Sequence, residues 1–334
     1  MTDLDAAPAR VEAPPDAQTG RFPTLELLIV GVLLLTFLRP VIAGMMEGAR
    51  VQTWVTIFVS ISLQAFPFLV LGVVLAGAIA AFVPHRFLIR ALPRRPLLAV
   101  PVASVAGCAL PGCECGSVPI SASLVARGAL PSAALSFMLS APAINPVVLI
   151  STAVAFPGRP IVVVARFVAS LLTAIVVGLL WNRFGRDTYM LGARRRSSEG
   201  STSWGTFRNS VRHDFFHAGG FLVIGAAIAA TLQVVVPRSI LDTMAGAGVM
   251  GVLVLAVLAV LLSICSEADA FVAASLGQFS TTAQLAFMVV GPGVDLKLVA
   301  LQAGIFGRPF AVRFAPLTFA VAVGMSLLIG GILL

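Results

Sequence analysis

Apolar residues fall in runs long enough to cross a bilayer, separated by short polar breaks. The runs are 25–38, 54–83, 97–126, 131–156 and 161–181, then 215–236, 246–265, 283–306 and 310–334. About 20 apolar residues carry a helix across a ~30 Å hydrocarbon core, so the pattern predicts an all-α polytopic membrane protein. Two stretches depart from it. Residues 1–23 are rich in Pro, Ala and Asp with no basic start, which predicts a disordered tail rather than a cleavable signal. Residues 182–212 are polar around Arg194-Arg-Arg-Ser-Ser-Glu-Gly and read as a flexible linker.

The run at 97–126 contains Cys108-Ala-Leu-Pro-Gly-Cys-Glu-Cys-Gly-Ser-Val-Pro119. Pro111, Gly112, Gly116 and Pro119 all oppose a continuous helix. Backbone that leaves the helix at membrane depth is tolerated only where protein or water satisfies its polar groups. The stretch is therefore expected to break and line a cavity. Glu114 points the same way, because an ionisable residue inside a span is costly and marks function by default.

The two halves of the chain repeat. Phe68-Leu-Val-Leu-Gly72, Ala76 and Val83-Pro84 match Phe221-Leu-Val-Ile-Gly225, Ala229 and Val236-Pro237 at an offset of 153. Further on, Cys115, Ala133, Leu135, Phe137-Met138 and Pro142 recur as Cys265, Ala283, Leu285, Phe287-Met288 and Pro292 at an offset of 150. Shared Cys, Pro and Gly in fixed order carry more weight than shared Leu or Ala. The division expected is a cytoplasmic tail at 1–23, an extra N-terminal transmembrane helix at 24–46, repeats at 50–182 and 213–334, and a basic cytoplasmic linker at 183–212.

Composition agrees and adds direction. The chain is 59% hydrophobic and 11% charged, with mean hydropathy +1.03 and a net charge of +8. Such a basic excess marks cytoplasmic loops facing anionic lipid, and no basic stripe with interleaved aromatics suggests nucleic acid. The two most basic loops, 84–96 and 183–212, should share a side. They do so if 97–126 is a re-entrant hairpin turning at 111–116. That places 16 basic residues inside and 4 outside, the N-terminus in the cytoplasm, and the second repeat inverted relative to the first. Inverted repeats with broken segments are the architecture of many secondary transporters, whose sites lie near the midplane.

Under the 150-residue offset, Cys113-Glu114-Cys115 and Cys265-Ser-Glu267-Ala-Asp269 are equivalent tips meeting from opposite faces. Thiolates select soft or borderline ions, and neighbouring carboxylates balance charge or relay protons. Cysteines as small packing residues are the alternative, strongest for Cys108, and a Cys113–Cys115 disulfide is also open. Pro142-Ala-Ile-Asn145-Pro146 and Pro292-Gly-Val-Asp295 interrupt the following segments, placing Asn145 and Asp295 to close the same cavity. A simple kink with a structural hydrogen bond is the other reading there, and Lys297 then serves only to neutralise Asp295. His213 and His217, at i, i+4 spacing, read as interfacial histidines rather than metal ligands. No zincin, phosphate-loop or nucleophile-elbow motif occurs, so no enzyme and no cofactor are expected.

Gly112-Cys-Glu-Cys-Gly-Ser-Val-Pro-Ile, Arg127-Gly, Ser140-Ala-Pro-Ala-Ile-Asn-Pro-Val-Val, Cys265-Ser-Glu-Ala-Asp-Ala-Phe and Gly291-Pro-Gly-Val-Asp together resemble a bacterial predicted-permease family that includes organoarsenical efflux permeases. The resemblance covers roughly residues 50–334. It implies a cell-membrane permease exporting a trivalent arsenical or, in other branches, copper or zinc, and a second membrane subunit beside it. A non-transporting membrane subunit or assembly factor is the competing class, and a homo-oligomer stays open.

Residues 84–96 and 183–212 are expected to face the cytoplasm together. Single cysteines introduced into each loop of a cysteine-free variant should both resist an impermeant maleimide applied from outside. Labelling of one loop alone means that 97–126 crosses fully, and the inverted arrangement is lost.

Overall fold

The computed structural model describes residues 49–82, 93, 95–110, 114–185, 204–235 and 248–334. The tail at 1–23, the helix expected at 24–46, Cys113 and the centre of the basic linker lie outside the described residues. The described chain is helical, with no strand among the described residues. Its elements are α1 (Ala49–Phe82), α2 (Pro96–Ala106), α3 (Glu114–Ala126), α4 (Pro131–Ile144), α5 (Pro146–Ala155) and α6 (Pro160–Phe184). They continue with α7 (Trp204–Val235), α8 (Val249–Leu262), α9 (Asp269–Ser275), α10 (Thr281–Val290), α11 (Leu296–Ile305) and α12 (Arg308–Leu333).

Proline sets many of these starts. Pro96, Pro131, Pro146, Pro160 and Pro309 sit in first turns, where the missing N–H costs nothing. Gly158 (φ 73°) and Gly307 (φ 101°) turn the chain just before α6 and α12, and each is followed by Arg-Pro.

Five segments are long and apolar enough to cross a membrane: Arg50–Ile79, Pro131–Ala155, Pro160–Phe184, Phe207–Val235 and Arg308–Leu333. The described chain is thus a multi-pass membrane protein. Other apolar helices are too short to cross alone. The 14 residues of α8 rise about 21 Å, against a ~30 Å core.

Two departures from the expected outline have local causes. The break in 97–126 is narrower than the sequence suggests, because α2 passes through a short 3₁₀ turn (Gly107–Ala109) and α3 already starts at Glu114. Gly116 and Pro119 therefore lie inside a helix. Pro119 removes one backbone bond there, which a buried helix tolerates when neighbours pack around it. Residues 204–212, read as linker, form the first turns of α7, where Trp204 stacks on Phe207 and Phe207 lies against Phe82.

Most of the core falls in two large buried clusters among the described residues, with two small ones around Ile61 and Ala99. One large cluster gathers Leu69, Cys115, Val118, Leu135, Trp181, Leu222, Cys265, Leu301 and Phe314, drawn from both halves of the chain. The other centres on Val162, Ala165, Leu255, Phe287 and Met288. The two halves interlock: α3 packs on α4 and on α11, while α9 packs on α5 and on α10.

Glycine permits the closest crossings. A Cβ at Gly72 would lie 2.7 Å from the carbonyl oxygen of Gly116, and one at Gly225 would lie 2.6 Å from the Cα of Lys297. These distances force backbone to move. Gly225→Val should accordingly destabilise the protein by about 1–3 kcal/mol through overpacking. Gly331→Val, where no heavy atom lies within 4 Å, should be neutral. Thermal unfolding of the two variants in detergent makes the comparison; equal midpoints would contradict the close crossing of α7 and α11.

Candidate functional site

Two helix breaks place polar side chains in the core. Asn145 (φ −69°, ψ 158°) separates α4 from α5, and Asp295 (φ −139°, ψ 169°) precedes α11. A helix that restarts in an apolar setting leaves its first N–H groups without partners. Each residue answers in the same way: Asn145 Oδ1 accepts from Val148 N at 3.0 Å, and Asp295 Oδ1 accepts from Leu298 N at 2.6 Å. Asn145 Nδ2 also donates to the Ala141 carbonyl at 3.0 Å, so much of its amide serves the backbone. Asp295 keeps its second oxygen for other work.

That oxygen faces Lys297. Lys297 Nζ lies 3.4 Å from Asp295 Oδ2, 2.6 Å from Glu114 Oε1 and 2.9 Å from the Ser263 carbonyl, to which it donates. The three ionisable side chains are at most 2% exposed. A buried carboxylate alone would be prohibitively costly, and the ammonium offsets that cost by binding two of them. Glu114 Oε2 has no hydrogen-bond partner among the described residues. Ser263 completes the arrangement by accepting from Leu296 N on its hydroxyl at 3.2 Å.

A second buried pair crosses the halves in the opposite sense. Arg166, in the middle of α6, places Nη2 at 2.7 Å from Asp269 Oδ2 at the start of α9. The same nitrogen donates to the Ser266 carbonyl at 3.3 Å, while Nη1 donates to Thr152 Oγ1 at 2.7 Å. Asp269 Oδ1 has no hydrogen-bond partner among the described residues. Asp269 lies within electrostatic reach of both Glu114 and Glu267, and Glu267 is only half-buried. The acid of each tip is thus held by a cation from the other half.

The sulfur atoms join this picture. Cys115 and Cys265 carry thiols, are buried in the same cluster, and lie within electrostatic reach of Lys297. Cys108, in the 3₁₀ turn, is half-buried. No group of three or more His, Cys, Asp or Glu side chains is gathered for a metal ion among the described residues. His217 Nε2 hydrogen-bonds the Gly304 carbonyl at 2.9 Å, and His213 is exposed beside Asp214.

Of the residues singled out in the sequence, Glu114, Cys115, Cys265 and Asp295 thus gather around Lys297. Asp269 belongs to the neighbouring arginine pair, with Glu267 close to it, and Asn145 caps a helix. The alternative in which Lys297 serves only to neutralise Asp295 leaves out its closer partner, Glu114. Arg166, Ser263 and Thr152 were not foreseen. The available signal was the charge itself, since Arg166 and Lys297 are basic residues inside otherwise apolar runs.

The residues matched to a protein-family model, described as predicted permease, are 50–331, which include both ion pairs and both cysteine tips. The UPF0718 protein YcgR of Bacillus subtilis is 36% identical over 284 residues, covering 83% of this chain and 96% of its own length. A Streptococcus mutans protein named as a two-component membrane permease complex subunit is 29% identical over 283 residues, covering 82% of this chain and 94% of its own. No solved structure matches the chain. With most of its length matched, the chain belongs to the predicted permease family and is a transporter rather than an enzyme.

Proposed function

We propose that this permease exports a soft metal or metalloid species, of the trivalent arsenical, copper or zinc class, by secondary transport through a site built from Cys113, Glu114, Cys115, Cys265, Glu267, Asp269, Asn145 and Asp295. The observation that carries the reading is the burial of Cys115 and Cys265 in one cluster beside the Glu114–Lys297–Asp295 group. Thiolates are the ligands that favour such ions over hard ones. A thiol must release its proton to bind, and Glu114, with an oxygen that makes no hydrogen bond, is the acceptor at hand. Lys297 balances the carboxylates while the site is empty, and a cationic cargo takes over part of that role.

Two inverted halves give the cargo its path. This reading is supported by the matching caps at Asn145 and Asp295, which lie 150 positions apart, and by the Gly-Arg-Pro entries to α6 and α12. It is also supported by the exchange of tips, with α3 on α11 and α9 on α5. Rocking one half against the other around a fixed site is the usual motion of such a fold. The protein sits in the cell membrane with its N-terminus in the cytoplasm. A second reading, in which the chain is one membrane subunit of a larger complex, is favoured by the name of the Streptococcus mutans relative. The two are compatible if a second membrane subunit completes the permease.

A sensitised host expressing the chain should gain resistance to at least one of a trivalent arsenical, copper, zinc or cadmium. Everted vesicles should accumulate that species, and Cys115→Ser should lower the rate at least about tenfold, roughly 1.4 kcal/mol of lost stabilisation. Glu114→Gln should weaken transport and move its pH dependence, whereas Cys115→Ser should weaken it at every pH. Parental transport by Cys115→Ser would remove the thiols from the mechanism. No protection by the chain alone, restored when a co-purifying membrane partner is supplied, would favour the subunit reading.

A further inference from the structure

Ser263 is the one non-glycine residue with positive φ among the described residues, at φ 48° and ψ 42°. L-residues pay for this left-handed conformation, and glycine or asparagine usually occupies it. Held in place by its surroundings, a strained backbone of this kind tends to cluster with functional groups. Here it closes α8, and every polar group of the residue is engaged. Its N–H donates to the Ala259 carbonyl at 3.2 Å, and its hydroxyl donates to the Val260 carbonyl at 3.1 Å while accepting from Leu296 N at 3.2 Å. Its carbonyl accepts from Lys297 Nζ at 2.9 Å. One buried serine therefore joins the end of α8 to the start of α11 and to the ammonium that binds Glu114 and Asp295.

The repeat gives the position a second meaning. At the 150-residue offset Ser263 corresponds to Cys113, so the second half reads Ser263-Ile-Cys265 where the first reads Cys113-Glu-Cys115. A hydroxyl replaces a thiol at one tip, and an apolar side chain replaces the acid. The second half thus supplies a brace for a cation at the position where the first half supplies a soft ligand.

From this juxtaposition we propose that Ser263 is the positioning residue of the site, its left-handed backbone and its hydroxyl together fixing Lys297 over Glu114 and Asp295. The proposal rests on the reading of this cluster as the transport site, but its first test needs no cargo. With Lys297 held, Glu114 is clamped and the start of α3, which includes Cys115, is closed to reagents. Loosening the serine brace opens it.

The test is alkylation of the full chain in detergent by N-ethylmaleimide, with Cys115 as the sole cysteine. Ser263→Gly keeps the left-handed backbone at no steric cost but deletes the hydroxyl. It should speed alkylation about tenfold, equivalent to about 1.4 kcal/mol in the opening equilibrium. Ser263→Ala, which deletes the hydroxyl but keeps the backbone strain that serine already carries and glycine relieves, should speed it at least as much and leave a lower unfolding temperature than Ser263→Gly. The glycine effect should vanish when Glu114→Gln and Lys297→Met are already present, because the brace would then have nothing to hold. An unchanged rate in Ser263→Gly, or a full effect in the background lacking the ion pair, would overturn the proposal and leave Ser263 as a turn residue alone. Faster alkylation in Ser263→Gly, alongside a parent that transports none of the four ions with or without a co-purifying membrane partner, would uphold the brace while removing the export reading.

Discussion

Charge buried in an apolar medium must be paired, and the arrangement of this protein follows from how it pairs five such groups. Glu114, Asp295 and Lys297 form one cluster, and Arg166 and Asp269 form the other. Removing one partner of such a pair leaves an uncompensated charge, a penalty of about 3–5 kcal/mol, whereas the intact pair adds little net stability. The pairs therefore act less as glue than as registration. Glu114–Lys297 ties the start of α3 to α11, and Arg166–Asp269 ties α6 to the start of α9.

The helix breaks serve the same end. A continuous helix at 131–155 or 281–305 would satisfy its own backbone and present only apolar faces. Interrupting it at Asn145 and at Asp295 creates free N–H groups that need an acceptor, and both residues supply one from their own side chain. At the second break the acceptor is a carboxylate, which then requires a cation, and Lys297 two residues on provides it. Backbone demand and charge demand are thus met by adjacent residues. This explains how a polar site persists in so oily a chain.

Two close glycine crossings lie on either side of the buried charges. Matching glycines at 72 and 225 bring α1 against the start of α3 and α7 against Lys297. What they bring together differs: the helix that begins Glu114-Cys115 in one case and a lysine helix in the other. The family match runs over residues 50–331 and so takes in both crossings and both ion pairs.

Hydropathy located the apolar runs, proline and glycine located the interruptions at Asn145, Asp295 and the cysteine tip, and the paired motifs pointed to the family. These properties are local, since the cost of a proline in a helix or of a polar residue in lipid is incurred wherever the residue stands. Even locally the reading had limits: Gly116 and Pro119 look like turn residues, yet they lie inside α3, where packing against α1 and α4 overrides their preference. The partner of Glu114 could not be read at all. Asp295 has a basic residue two positions away, and only the packing of α3 on α11 shows that Lys297 lies closer to Glu114. Arg166 likewise finds Asp269 far along the chain. The sequence by itself determined where the chain would break and which groups would need partners; the tertiary structure decided who the partners are, because that choice depends on which helices pack side by side, a property no local pattern encodes.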